Sequence, residues 1–162
     1  MKTRYTILFF ALLLSACGFH LRGQSAMPFT SLYVRSANEN APFVVDLKRA
    51  VQASGVQLSL DATQAQLTLD IISEVADKQI LSLSGSGRVR EYQLRYRVSM
   101  RAFDAQKQDW LPAEEVAIRR DFSYDDTQIL AKEQEEILLY QNMRSDAVQQ
   151  VMRRLSHAKP QQ

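Results

Sequence analysis

With one cysteine in 162 residues, the chain has no internal disulfide framework, because Cys17 has no partner. Its two histidines, His20 and His157, lie near opposite ends, without ligands or nucleophiles at metal or triad spacing, and read as solvated surface. Glycine is scarce, and its densest stretch, "SGSGR" (Ser84–Arg88), has neither P-loop nor dinucleotide-fingerprint spacing. That stretch joins two predicted strands, so it reads as a hairpin turn. The one long apolar run, Tyr5 to Leu14, is shorter than the roughly 20 residues that span a bilayer. Repeats and low-complexity blocks are absent, and so is an excess of charge. The formal net charge of +2 resides in Lys2 and Arg4, and without residues 1–16 the remaining 18 Lys and Arg equal the 18 Asp and Glu. A nucleic-acid partner has no global basic balance to support it.

What is present begins at the N-terminus. Lys2 and Arg4 precede the apolar run, and the small residues Ser15 and Ala16 precede Cys17. This is the order of a secretory signal: basic start, short apolar core, small residues at the cut. "LSAC" (Leu14–Cys17) also resembles the bacterial lipobox, which implies a signal peptide over 1–16 and lipid attachment at Cys17 as the first mature residue. Acylation accounts for an unpaired thiol in an oxidising compartment. The acyl chains on Cys17 are the only non-protein groups expected; no cofactor and no metal is called for. Gly18 stands where an Asp would resemble inner-membrane retention, so outer-membrane sorting is the expectation, with the anchored domain on the periplasmic side.

Residues 17–30 read as a lipid-anchored tether, 31–158 as a single domain and 159–162 as a frayed tail. "SLYVR" (Ser31–Arg35) predicts a strand. A helix follows, with Asn40 or Ala41 as cap and Pro42 in its first turn. Its apolar positions are Phe43, Val44, Leu47, Ala50 and Val51, and Gly55 stops it. Val56, Leu58 and Leu60 suit either a short strand or a packed extended turn. "QLTLDIISEV" (Gln66–Val75) alternates as a half-buried strand, with Leu67, Leu69 and Ile71 inward. The next strand puts Tyr92, Leu94, Tyr96, Val98, Met100 and Ala102 on one face and Arg95, Arg97 and Arg101 on the other. After a turn over Asp104–Asp109, Val116, Ile118, Phe122 and Tyr124 mark a fourth strand, with Arg120 on its apolar side. A helix is expected from about Asp126 to His157, capped by Asp125 or Asp126, with acidic residues early and arginines late. Its buried stripe is Tyr140, Met143, Ala147, Val148, Val151 and Leu155. The order β-α-β-β-β-α predicts an α/β (α+β) two-layer sandwich: a four-stranded mixed sheet with two helices packed on one face.

No nucleophile–base set appears, so an enzyme is not expected. The basic residues offer more. Arg88, Arg90, Arg95, Arg97 and Arg101 crowd one strand and its entry turn. A solvated sheet face explains them as readily as phosphate binding, which suits a guanidinium fork. "CGFHLRG" after the lipobox, "REYQLRYRV" in the third strand and "FSYDDTQILAKEQEE" leading into the last helix together resemble the LptE family of lipopolysaccharide-assembly lipoproteins, in order and over nearly the whole mature chain. The resemblance implies a non-catalytic plug in the LptD β-barrel, working with it to insert lipopolysaccharide into the outer leaflet. It implies lipopolysaccharide binding through Lys132, which matches the lysine of "LAK". The family's basic turn residue falls near Gly85, where this chain departs from the pattern, and the charge comes instead at Arg88 and Arg90. The expected partners are therefore LptD, lipopolysaccharide and, through the anchor, the membrane. A lipid-anchored periplasmic adaptor in other envelope or lipid trafficking is the alternative.

Overall fold

The computed structural model describes residues 27–161, so the predicted signal peptide, Cys17 and most of the tether lie outside the described residues. Five strands and two helices follow in the order β1 (Ser31–Ser36), α1 (Pro42–Ala53), β2 (Gln57–Leu58), β3 (Leu67–Leu83), β4 (Val89–Asp104), β5 (Asp109–Ser123) and α2 (Ile129–Ser156). The sheet order is β2-β1-β3-β4-β5. β1 runs parallel to β2 and β3, as a helical crossover requires, and β3–β4–β5 form an antiparallel meander. The two-layer α+β architecture is the expected one, with one strand more. β2 adds only two residues, held beside β1 by the Gln57 amide on the Thr30 carbonyl and the Ser59 amide on the Leu32 carbonyl.

α1 starts where Pro42 has no amide to leave unpaired, and it ends before Gly55, whose φ of 84° turns the chain back to β2. It buries Phe43, Val44, Leu47 and Val51, and α2 buries Met143, Ala147, Val148, Val151 and Leu155. Both stripes press on the same sheet face, where Leu32, Val34, Leu67, Leu69, Leu94, Tyr96, Val98, Met100, Val116 and Ile118 are buried.

Three boundaries differ from the sequence reading, each for a physical reason. β3 continues eight residues beyond Val75, because β4 supplies partners as far as Leu83. β5 begins at Asp109, inside the expected turn, because a tighter turn satisfies the backbone: the Asp104 amide donates to Gln108 O and the Lys107 amide to Asp104 O. Asp125 caps a short 3₁₀ turn (Asp126–Gln128), through the Thr127 amide, so α2 starts three residues late. The packed unit is also slightly longer than 31–158. Phe29 is buried in the core, and the Gln161 amide bonds the Asp109 carbonyl.

Candidate functional site

The residues singled out for phosphate binding divide into two groups. On the polar sheet face, Asp77 accepts both Nε and Nη2 of Arg95, at 3.0 and 2.7 Å, and lies 3.7 Å from Arg97. Asp70 accepts the fork of Arg35 at 3.0 and 2.8 Å, and Arg101 at 3.4 Å. Arg95, Arg97 and Arg101 are thus engaged with carboxylates. The hydrogen bonds from Arg95 hold the Asp77 carboxyl below the usual carboxylate range, and those from Arg35 and then Arg101 do the same for Asp70. A folded-state value below the unfolded one contributes stability at neutral pH that is lost as pH falls through the folded value. The Asp70→Asn variant is therefore expected to have a lower urea midpoint than the wild type at pH 7. It should also lose less on acidification from pH ~5 to ~2, the window that spans an ordinary carboxyl near ~4 and the lowered folded value.

Arg88, Arg90 and Lys132 come to one end of the sheet, as the meander requires. The β3–β4 turn closes on the pair Leu83–Val89. Within it the Ser84 amide donates to Arg88 O at 2.7 Å, the Arg88 amide to Ser84 Oγ at 3.1 Å and the Gly87 amide to Ser84 O at 2.9 Å. Gly87, at φ 78°, takes a left-handed conformation that a side chain would strain. These bonds fix the turn and leave Arg88 and Arg90 exposed, with no ion pair among the described residues. The chain leaving β5 is pinned beside them, because the Tyr124 amide donates to Arg90 O at 2.8 Å. Lys132, one turn into α2, reaches back to Ser123 Oγ at 3.2 Å and pairs with Glu135 at 2.8 Å. Its side chain is only 16% exposed, so it is a positioned charge, and the two arginines are free ones.

Beneath this tip the Tyr92 ring stacks on Phe122 (centroids 5.8 Å apart) and meets Tyr124 edge-on (5.1 Å). The cation over Tyr92 is Lys78, with its Nζ 4.8 Å from the ring centroid. The tip also has an apolar half that sequence reasoning missed: Ile80, Leu83, Ile129 and Leu130 are 46–79% exposed. Periodicity marks such residues as core candidates; only the extent of helix cover shows them open to solvent. A cationic rim beside exposed aliphatic side chains suits an amphiphile that carries phosphate and acyl chains.

His157 sits at the C-terminal end of α2, its Nδ1 2.8 Å from Arg153 O. Among the described residues no cluster of His, Cys, Asp and Glu is arranged to hold a metal ion. No helix among them is long and apolar enough to cross a membrane.

The family model for LptE, described as lipopolysaccharide-assembly, matches residues 29–155. The LPS-assembly lipoprotein LptE of Pectobacterium atrosepticum is 29% identical over 152 residues, covering 89% of this chain and 79% of the relative. That of Yersinia enterocolitica is 31% identical over 152 residues, covering 89% and 70%. Among solved structures, lipoprotein B from Nitrosomonas europaea superposes with a TM-score of 0.74 at 37% identity, covering 86% of this chain and 90% of that one. Rare lipoprotein B from Shewanella oneidensis gives 0.68 at 26% identity, covering 76% and 91%. With the match running from Phe29, the first buried residue among those described, to Leu155, the last buried position of α2, the chain belongs to the LptE family of lipopolysaccharide-assembly lipoproteins.

Proposed function

We propose that this chain is the lipid-anchored, non-catalytic partner of an LptD-type β-barrel in the outer membrane, and that it plugs the barrel, binds lipopolysaccharide and assists its insertion into the outer leaflet. The observation that carries the reading is the family match over residues 29–155, nearly the whole packed domain. The physical features suit it. A barrel lumen is polar, and the polar sheet face here is an ion-paired lattice in which Asp70 and Asp77 each hold two arginines. Such a face, with most of its arginines held by carboxylates, suits a polar wall. The tip would meet the glycolipid, with Arg88, Arg90 and Lys132 toward its phosphates and the aliphatic residues toward its acyl chains. Purification of the full-length lipoprotein from detergent-solubilised membranes is expected to bring down a large β-barrel in 1:1 stoichiometry. Recovery of the lipoprotein without any barrel would favour the adaptor reading.

The ligand site has its own test. Reversing charge at Arg88 and Lys132 together, to Glu, replaces attraction with repulsion at two points of the tip. Capture of labelled lipopolysaccharide is expected to fall at least about tenfold, since one charge-assisted hydrogen bond is worth roughly 1.5–3 kcal/mol. Wild-type capture should also weaken with salt, because exposed charges are screened beyond roughly 8–10 Å. Circular dichroism and barrel co-purification should be unchanged. Equal capture by a folded double variant would remove the tip from the ligand site and leave the barrel role standing.

A further inference from the structure

We propose that the outer edge of β5 pairs antiparallel with the same edge of a second copy of this chain, with Ala117 on the two-fold axis. The proposal goes beyond the barrel reading and concerns the lipoprotein when no barrel holds it.

β5 ends the sheet, and among the described residues no strand lies on its outer side. The direction of its backbone groups follows from the pairing with β4. The Tyr124 amide bonds Arg90 O, so Phe122, Arg120, Ile118 and Val116, stepping back by the strand period, turn their amides and carbonyls toward β4. Glu115, Ala117, Arg119 and Asp121 therefore turn theirs outward. The Glu115 carbonyl agrees, because Arg154 Nη1 meets it from α2 at 3.3 Å and leaves its second lone pair open. Native edges are commonly kept short, as β2 is, whereas β5 runs for 15 residues.

The side chains along that edge are self-complementary. An axis through Ala117 sets Glu115 against the partner's Arg119 on the polar face, and Val116 against the partner's Ile118 on the helix face. Glu114 and Arg120, held within the chain by Arg154 and Asp146, also come opposite each other with opposite sign. Glu115 and Arg119 are exposed and make no ion pair among the described residues; Ser99 Oγ reaches Glu115 only at 3.5 Å. Arg119 lies opposite Arg95, whose own carboxylate is Asp77, and the neighbouring Asp121 accepts Gln93 Nε2 at 2.8 Å. Like charges opposite one another in a sheet repel, and the partner's Glu115 supplies the missing counter-charge. Ala117, small and exposed, lets the strands approach at the axis. A shift of the axis spoils the match. About Val116, Ile118 meets the partner's Glu114; about Ile118, Glu115 meets the partner's Asp121. The other open stretch, β3 beyond Ile71, has its charges engaged already, Glu74 by the Tyr96 hydroxyl and Lys78 by Glu136. Contact between two strands is a small interface and weak in solution, and acyl anchors in one leaflet would raise its effective concentration.

The test uses the full-length lipoprotein in detergent, separated from any barrel, with disulfide-linked dimer under mild oxidation as the readout. Ala117→Cys is expected to link, since the Cα atoms of such a pair stand about 5.5 Å apart, within disulfide reach. Ser123→Cys is expected to stay monomeric, its two copies being about 40 Å apart across the axis. The wild type, whose one cysteine is Cys17, sets the background. Added to Ala117→Cys, either E115R or R119E should lower the dimer yield about fivefold or more, by placing like charges across the edge. E115R and R119E together exchange the charges and should restore the yield to within about twofold. Circular dichroism checks that every variant is folded. No link through Ala117→Cys above the wild-type background overturns the edge pairing. So does equal linking through Ser123→Cys, or a charge-exchanged variant that links as poorly as the single ones. The barrel reading stands apart from all these outcomes, because barrel co-purification tests it.

Discussion

Tyr96→Ala is expected to destabilise the domain by about 3–5 kcal/mol, the range for deleting a buried aromatic side chain and leaving a cavity. Its neighbour Arg97→Ala should change stability by less than about 1 kcal/mol, as exposed ion pairs do. Tyr96 is 4% exposed, and its ring lies 6.4 Å from that of Phe43 on α1, at the junction of the two layers. Its hydroxyl donates to Glu74 Oε1 at 2.5 Å. Burial, more than that bond, pushes the phenol well above its ordinary pKa, so it stays neutral throughout the working range. Tyr96→Phe keeps the ring and loses only the hydrogen bond, so it should cost about 1 kcal/mol. Arg97 points to the opposite face with its side chain 40% exposed. It sits 3.7 Å from an Asp77 that Arg95 already satisfies, and its own Nε is buried without a partner. Urea melts of the three variants would decide the register. If Arg97→Ala proved the most destabilising, every side chain of β4 would belong on the other face.

β4 was readable in advance because its apolar residues keep the two-residue period from Tyr92 to Ala102, and all of them are buried or packed on the core. β3 was readable only as far as that period lasts. A bulge between Ile71 and Ser73 shifts the register, after which Glu74, Ala76 and Lys78 face Val98, Tyr96 and Leu94 on the helix side. Polar residues on the inner face look like the end of a strand, yet pairing with β4 continues to Leu83. Missing that extension also hid the pairing of Asp77 with Arg95 and Arg97, which gives the polar face its lattice. β2 carries two residues and no period to detect. The meeting of Arg88, Arg90 and Lys132 at one end follows from strand order alone. The apolar half of the tip does not. Leu130 is 79% exposed in the first turn of a helix whose later turns bury Met143 and Val148, and only packing distinguishes them.

Cys17→Ala is expected to block lipoprotein processing and lipid attachment while leaving the domain folded. Each methylene buried in the bilayer contributes about 0.8 kcal/mol, and a single chain holds only marginally, so stable anchoring needs more than one chain on the cysteine. The thiol is the attachment point that the "LSAC" sequence implies, and alanine offers none. Signal processing at that site should stop, so mass spectrometry should find residues 1–16 still attached in the variant. In the wild type it should find an acylated N-terminal cysteine. Stability should not change, because the described core draws its side chains from residues 27–158. The urea midpoint of the variant's domain should therefore match that of the wild type. The same variant separates lipid attachment from recognition: extracted in detergent, it should still capture lipopolysaccharide through Arg88, Arg90 and Lys132. An unmodified free thiol at Cys17 in the mature wild type would end the anchor account.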